Sequence, residues 1–144
     1  YYPITVANTI AAPITGPIPI INSSIYAAQT DILREMASKS DCVIVGRCAD
    51  HVLADCHPLR IFVYADWERR LARCRAMNEG QGLSDRELER RMREIDRARS
   101  RYYRFYTGAV WGAKENYDLC INTSDVEPKR VAEALAALAG GRQS

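Results

Sequence analysis

The stretch LRIFVYADWERRLARC, residues 59–74, changes period halfway along. Leu59 to Tyr64 is apolar apart from Arg60 and rich in β-branched and aromatic residues, the composition of a buried strand. Asp66 then stands where a helix N-cap belongs, and residues 67–77 continue with helix formers. A strand that runs directly into a helix is half of a strand–helix–strand unit, and such units build parallel sheets.

The flanking sequence repeats that alternation. On the N-terminal side, Cys42-Val43-Ile44-Val45 ends at Gly46 and has the length of a second buried strand. Before it, Asn22, Ser23 and Ser24 offer caps for a helix over 25–38, with Ile25, Ile32, Leu33 and Met36 as its apolar face. A short helix is expected over 50–53, stopped by Pro58. On the C-terminal side, 78–82 (NEGQG) reads as a flexible turn, and Ser84 with Glu87 forms a capping box for a helix over 85–106, ended by Gly108. A third strand is expected over 118–122. Asp125 opens a last helix with Pro128 in its first turn and Val131, Leu135 and Leu138 on its buried side.

The order of elements predicts an α/β protein: a three-layer α/β/α arrangement around a parallel sheet. Three strands make a thin sheet, so a further strand is expected on the N-terminal side. The chain of 144 residues starts with Tyr and fits one domain, partial in this reading. Residues 1–24, with Pro3, Pro13, Pro17 and Pro19, read as extended or looped, and the last five as a frayed tail.

Composition narrows the class. The chain is 47% hydrophobic and 26% charged, as globular proteins are, with no uncharged apolar run long enough to span a membrane. Its five cysteines, an odd number without regular spacing, argue against a disulfide framework and for a reducing, cytoplasmic compartment. Cys42 and Cys120, inside apolar runs, are expected to be buried. Cys48, His51, Cys56 and His57 are set aside as metal ligands, because adjacent Cys56 and His57 cannot readily meet on one tetrahedral ion.

The base content is unusual in kind. The chain has 17 Arg and 3 Lys, and residues 69–104 hold twelve Arg against six acids. Arg90, Arg93, Arg97, Arg101 and Arg104 recur at steps of 3 and 4, so they share one helix face, opposite an apolar stripe of Met92, Ile95, Ala98, Tyr102 and Tyr106. Like charges one turn apart repel by a few tenths of a kcal/mol per pair. The planar guanidinium fork suits phosphate, so this face is expected to meet an anion.

Ligands of open α/β sheets sit at the carboxyl ends of the strands. The first strand leads to Gly46 and Arg47, with Asp50 placed to orient a hydroxyl or steer Arg47. The second leads to Asp66 and then Arg69, Arg70 and Arg73. The sequence contains no G-x-x-x-x-G-K-[ST], no G-x-G-x-x-G, no G-x-S-x-G and no H-E-x-x-H.

Four stretches, CVIVGRCADHVL (42–53), LRIFVYADWERRLARC (59–74), IDRARSRYYRFYTGAVWG (95–112) and NYDLCINTS (116–124), resemble the cytidylate kinase-like family of nucleoside monophosphate kinases. The resemblance covers roughly residues 25–138. It implies a P-loop NTPase-like fold and transfer of the ATP γ-phosphoryl group to CMP or dCMP with Mg²⁺. It implies substrate contacts from Arg47, Asp50, Arg69 and Arg99, and catalytic roles for Arg73, Arg97 and Arg101. Residues 75–106 would form a lid-like helical region hinged near 78–84, and no metal ligand is implied within these residues. The chain departs from the family in lacking the Gly-rich P-loop that holds ATP, so these 144 residues alone are expected not to catalyse transfer. The acceptor base and the oligomeric state stay open.

The alternative is a basic nucleotide- or nucleic-acid-binding module without catalysis, with Tyr102, Tyr103, Phe105 and Tyr106 stacking on bases. A pI of about 8.3 is modest for such a module.

Overall fold

The computed structural model describes residues 21–77 and 82–140. Five α-helices and two strands are described: α1 (Ser23–Lys39), α2 (Ala49–Val52), β1 (Ile61–Tyr64), α3 (Trp67–Ala76), α4 (Asp85–Thr107), β2 (Leu119–Asn122) and α5 (Pro128–Gly140). Short 3₁₀ turns follow α2 (Ala54–Cys56) and precede β2 (Lys114–Asn116). The expected loop over residues 1–24 lies almost wholly outside the described residues, as do 78–81 of the expected hinge.

The chain divides into two compact units, each discontinuous in sequence. One comprises residues up to Pro58 together with Gly82–Trp111, and the other Leu59–Gln81 together with Gly112 onward. The 75–106 stretch is therefore shared between them.

In the first unit, Asn22 caps α1, its side-chain oxygen accepting from the amides of Ser24 and Ile25 at 3.0 and 3.1 Å. The buried face of this helix differs from the expected one. Leu33 is buried and Tyr26 and Ala37 pack beside it, whereas Ile25, Ile32 and Met36 stay exposed. Two of its described clusters meet at this helix. Leu33 meets Ala49, Val52 and Leu53, and Cys48 meets Tyr102 and Tyr103. Tyr26 touches both clusters and so selects the face. Its ring lies on Tyr106 with centroids 3.8 Å apart and planes 7° from parallel, and the Tyr106 hydroxyl accepts from the Asn22 amide at 3.0 Å.

Helix α4 follows its sequence closely. The Ser84–Glu87 capping box is present, and Gly108 ends the helix at φ 72 with its amide on the Arg104 carbonyl. Leu88, Met92, Ile95, Ala98, Tyr102 and Tyr103 are its buried residues. Ser84 hydrogen bonds hold the Glu87 carboxyl below the usual carboxylate range.

The expected strand over 42–45 does not form. Ile44 packs against the Leu33 cluster, while Val43 is 81% exposed and Val45 55%. The run keeps the alternation of a strand but has no ladder, because no described strand lies beside it. Cys42 is consequently exposed rather than buried.

In the second unit, β1 and β2 pair in parallel, Ile61 opposite Leu119 through Tyr64 opposite Asn122. The expected parallel sheet thus has two described strands. Cys120 and Val63 on these strands are exposed. At the amino ends, Asp118 accepts from the Arg60 amide at 2.7 Å and from its guanidinium at 2.8 Å. Phe62 meets the Tyr117 ring at 5.0 Å between centroids. Gly112, at φ +80, leaves room for that phenyl ring, which a Cβ would approach to 2.9 Å. Along α5, Val131 and Leu135 are half-buried and Leu138 is exposed, so the expected apolar side is only partly covered.

Candidate functional site

Gly46, Arg47 and Cys48 take positive φ in succession, at 73°, 58° and 54°. For glycine this is free. For Arg47 and Cys48 it costs on the order of 1 kcal/mol each, a strain that persists only where surrounding structure holds it. The restraint is visible: Cys48 is 3% exposed and packed against Tyr102 and Tyr103, and its carbonyl accepts from the amides of His51 and Val52 at 3.0 and 2.9 Å. Burial, with the nearby Asp50 carboxylate, pushes the Cys48 thiol up to about 12. That thiol is a packing group, not a nucleophile.

This buried anchor presents Arg47 outward. An Arg47–Asp50 salt bridge is the plainest use of the pair, and it is not made. Among the described residues Arg47 has no ion-pair partner. Asp50 instead accepts a hydrogen bond from the Tyr103 hydroxyl at 2.6 Å. Tyr102 donates to Gln29 Oε1 at 3.3 Å. Burial chiefly holds its phenol above the ordinary range, with the Arg47 charge pulling it back down. Arg47, Asp50, Tyr102 and Tyr103 therefore form one constellation, built from the turn before α2, the first turn of α2 and the last turns of α4.

The other arginines fall elsewhere. Arg97, Arg99 and Arg101 sit two residues apart, so Arg99 points away from the other two. Arg97 and Arg101 lie on the exposed face, and Arg97 donates to the Arg93 carbonyl at 3.3 Å. Arg99, on the inner side, stands 3.8 Å from Asp96. Towards the N-terminal half of the helix, Glu89 and Glu94 approach Arg93 and Arg90 at 3.8 and 4.0 Å. Arg101 and Arg104 have no acidic partner among the described residues.

Arg69 and Arg73 belong to the second unit. Arg73 donates to the Thr123 hydroxyl at 3.1 Å and also to the Thr123 carbonyl, and Arg69 donates to Asp125 at 2.7 Å. Both tie α3 to the segment leaving β2. Ser124 completes this strand end by donating to Asn122 Oδ1 at 2.6 Å and accepting from the Asp66 amide at 2.8 Å. Asp66 is thus held by its backbone and makes no side-chain cap.

Sequence reasoning missed Tyr103 and Thr123. Tyr103 was visible only as the second tyrosine of Arg101-Tyr102-Tyr103-Arg104, placed among stacking rings. Thr123 and Ser124 carried a usable signal, since they directly follow a strand.

The profile of the cytidylate kinase-like family matches residues 7–125. The chain belongs to the cytidylate kinase-like family. The Gly46–Asp50 turn, α4 and the β1–β2 pair all fall within the matched span. A crystal structure of an uncharacterized protein from Eubacterium ventriosum ATCC 27560 is similar to this family member at a TM-score of 0.73 and 28% identity, over 85% of this chain and 69% of that one. No curated protein matches the chain. No helix among the described residues is long and apolar enough to cross a membrane.

Proposed function

We propose that this chain holds the acceptor of a nucleoside monophosphate kinase, binding CMP or dCMP for transfer of the ATP γ-phosphoryl group. The observation that carries the reading is Arg47: an arginine without an acidic partner among the described residues, held in left-handed backbone by a buried neighbour, beside a carboxylate that Tyr103 occupies. An unpaired guanidinium fork is suited to a phosphate monoester, and Asp50 to a hydroxyl or amine of the nucleoside. Family membership supports phosphoryl transfer as the reaction type. A three-layer, P-loop NTPase-like sheet belongs to the same proposal, supported by the parallel pairing of β1 with β2.

Phosphoryl transfer asks a protein chiefly for position and positive charge. Arg47 positions the acceptor phosphate. Arg97 and Arg101, sharing one face and without acidic partners among the described residues, are assigned to charge on the transferring group, and Arg99 to the acceptor side. Arg69 and Arg73 contribute by fixing α3 to the strand end, so that any approach to substrate requires breaking those bonds. ATP and Mg²⁺ find no fitted site among the described residues: the Gly-Lys-Ser/Thr loop is not in the sequence, and no group of three His, Cys, Asp or Glu side chains gathers.

The nucleic-acid alternative fits the rings less well. Tyr102 and Tyr103 are buried and Tyr106 is stacked on Tyr26, which leaves Phe105 exposed among the four expected stacking residues. A coupled assay for ADP with the intact protein tests the proposal. ADP formation that saturates with CMP or dCMP, and falls by a hundredfold or so in kcat/KM on Arg47→Ala, is expected. ADP formation indifferent to every monophosphate would overturn it.

A further inference from the structure

The Tyr103–Asp50 hydrogen bond is a contact that phosphate chemistry does not require. Tyr103 is 7% exposed, and its hydroxyl reaches Asp50 Oδ2 at 2.6 Å, the short distance of a charge-assisted bond. Asp50 sits in the first turn of α2, a helix of only four residues, directly after the strained Arg47–Cys48 pair. So short a helix cannot hold a side chain in one orientation by itself. Among the described residues Asp50 has no other hydrogen-bond or ion-pair partner, and Oδ1 is left without one. The Tyr103 ring is in turn fixed by packing on Cys48, and its backbone by α4, whose Thr107 hydroxyl donates to the Tyr103 carbonyl at 2.7 Å.

We infer that Tyr103 is a positioning residue for the acceptor site: it fixes the Asp50 carboxylate through Oδ2, so that Oδ1 accepts a hydrogen bond from the nucleoside part of the monophosphate. The inference rests on the acceptor reading above and deepens it. It gives the two polar groups of the site separate tasks. Arg47 takes the phosphate, and Asp50, steered by Tyr103, takes the nucleoside. It also makes the end of α4 part of the acceptor site through a neutral phenol, independently of the arginines on the opposite face of that helix.

The test is calorimetric titration of the full chain with CMP and, separately, with inorganic phosphate, for the wild type, Tyr103→Phe, Asp50→Asn and the double variant. Tyr103→Phe keeps the buried ring and removes only the hydroxyl. CMP affinity is expected to fall about tenfold in Tyr103→Phe, phosphate affinity to stay within twofold, and the Tyr103→Phe effect to vanish in the Asp50→Asn background. Loss of folding would weaken both ligands equally, so the phosphate arm separates positioning from damage. Should Tyr103→Phe fail to fold, Asp50→Asn must by itself lower CMP affinity and spare phosphate. Wild-type binding of CMP with an unchanged Tyr103→Phe, or the same loss with and without the Asp50 carboxylate, would overturn the inference alone. A wild-type chain that binds no monophosphate would overturn the acceptor reading and the inference with it.

Discussion

Arg73 grips Thr123 with both arms of its guanidinium, one nitrogen on the hydroxyl and the other on the carbonyl. An arginine whose sequence context suggested phosphate is thus engaged in joining a helix to the end of a strand. The fork geometry matters here, because a lysine ammonium cannot span two acceptors in the same plane.

Arg73→Ala is therefore expected to destabilise the second unit by about 1–2 kcal/mol, and Arg73→Lys to recover less than half of that. Thr123→Val should cost less than Arg73→Ala, since the carbonyl contact survives. Denaturant unfolding followed at Trp67, six residues before Arg73 on α3, measures all three.

The thiols divide by burial. Cys42, Cys56 and Cys120 are exposed, Cys48 and Cys74 buried. A chromogenic disulfide reagent at neutral pH should titrate three thiols quickly and the other two only on unfolding. The sign of the pH effect follows from the raised Cys48 value. The folded thiol stays protonated up to about 12, while in the unfolded chain it ionises near the ordinary 9.0. Stability is therefore fully present below pH 9 and declines between about 9 and 12, as the unfolded state releases protons first. Burial raises the Tyr26 and Tyr102 phenols in the same direction. Cys48→Ala should flatten the first part of that decline, read from melting temperatures between pH 8 and 11.

Gly112→Ala meets two obstacles together, a positive φ and a phenyl ring 2.9 Å from the new Cβ. The Phe62 ring is held by Tyr117, so it has little freedom to retreat. A loss of about 1–3 kcal/mol is expected from denaturant unfolding. Phe62→Leu in the same background should recover part of it.

Much of this was legible beforehand, for local reasons. The Ser84–Glu87 box, the Gly108 stop and the Asn22 cap are decided within four residues of chain, and each appears where its sequence puts it. The apolar stripe of α4 was readable from helical spacing: Met92, Ile95, Ala98 and Tyr102 are buried as expected, and Tyr106 is half-buried. What failed depended on neighbours. The 42–45 run has the composition of a strand, but a strand exists only by pairing, and no described strand pairs with it. Helix α1 carries two competing apolar stripes. Of the expected face Ile25, Ile32, Leu33 and Met36, Leu33 alone is buried; Tyr26 and Ala37 pack beside it, a choice made by the Tyr106 ring, 80 residues further on from Tyr26. At the candidate site, Arg47 and Asp50 were visible from their place after an apolar run ending in glycine. Their separation into an unpaired arginine and a tyrosine-bound carboxylate was not, because Tyr103 comes from a distant helix.

The central claim is that Arg47 holds the phosphate of a nucleoside monophosphate. Titrating CMP into the wild-type chain and into Arg47→Ala, with cytidine as the control ligand, measures it most directly. Saturable CMP binding that weakens at least tenfold in Arg47→Ala, with little change for cytidine, is the predicted result. Equal CMP affinity in the two proteins would contradict it.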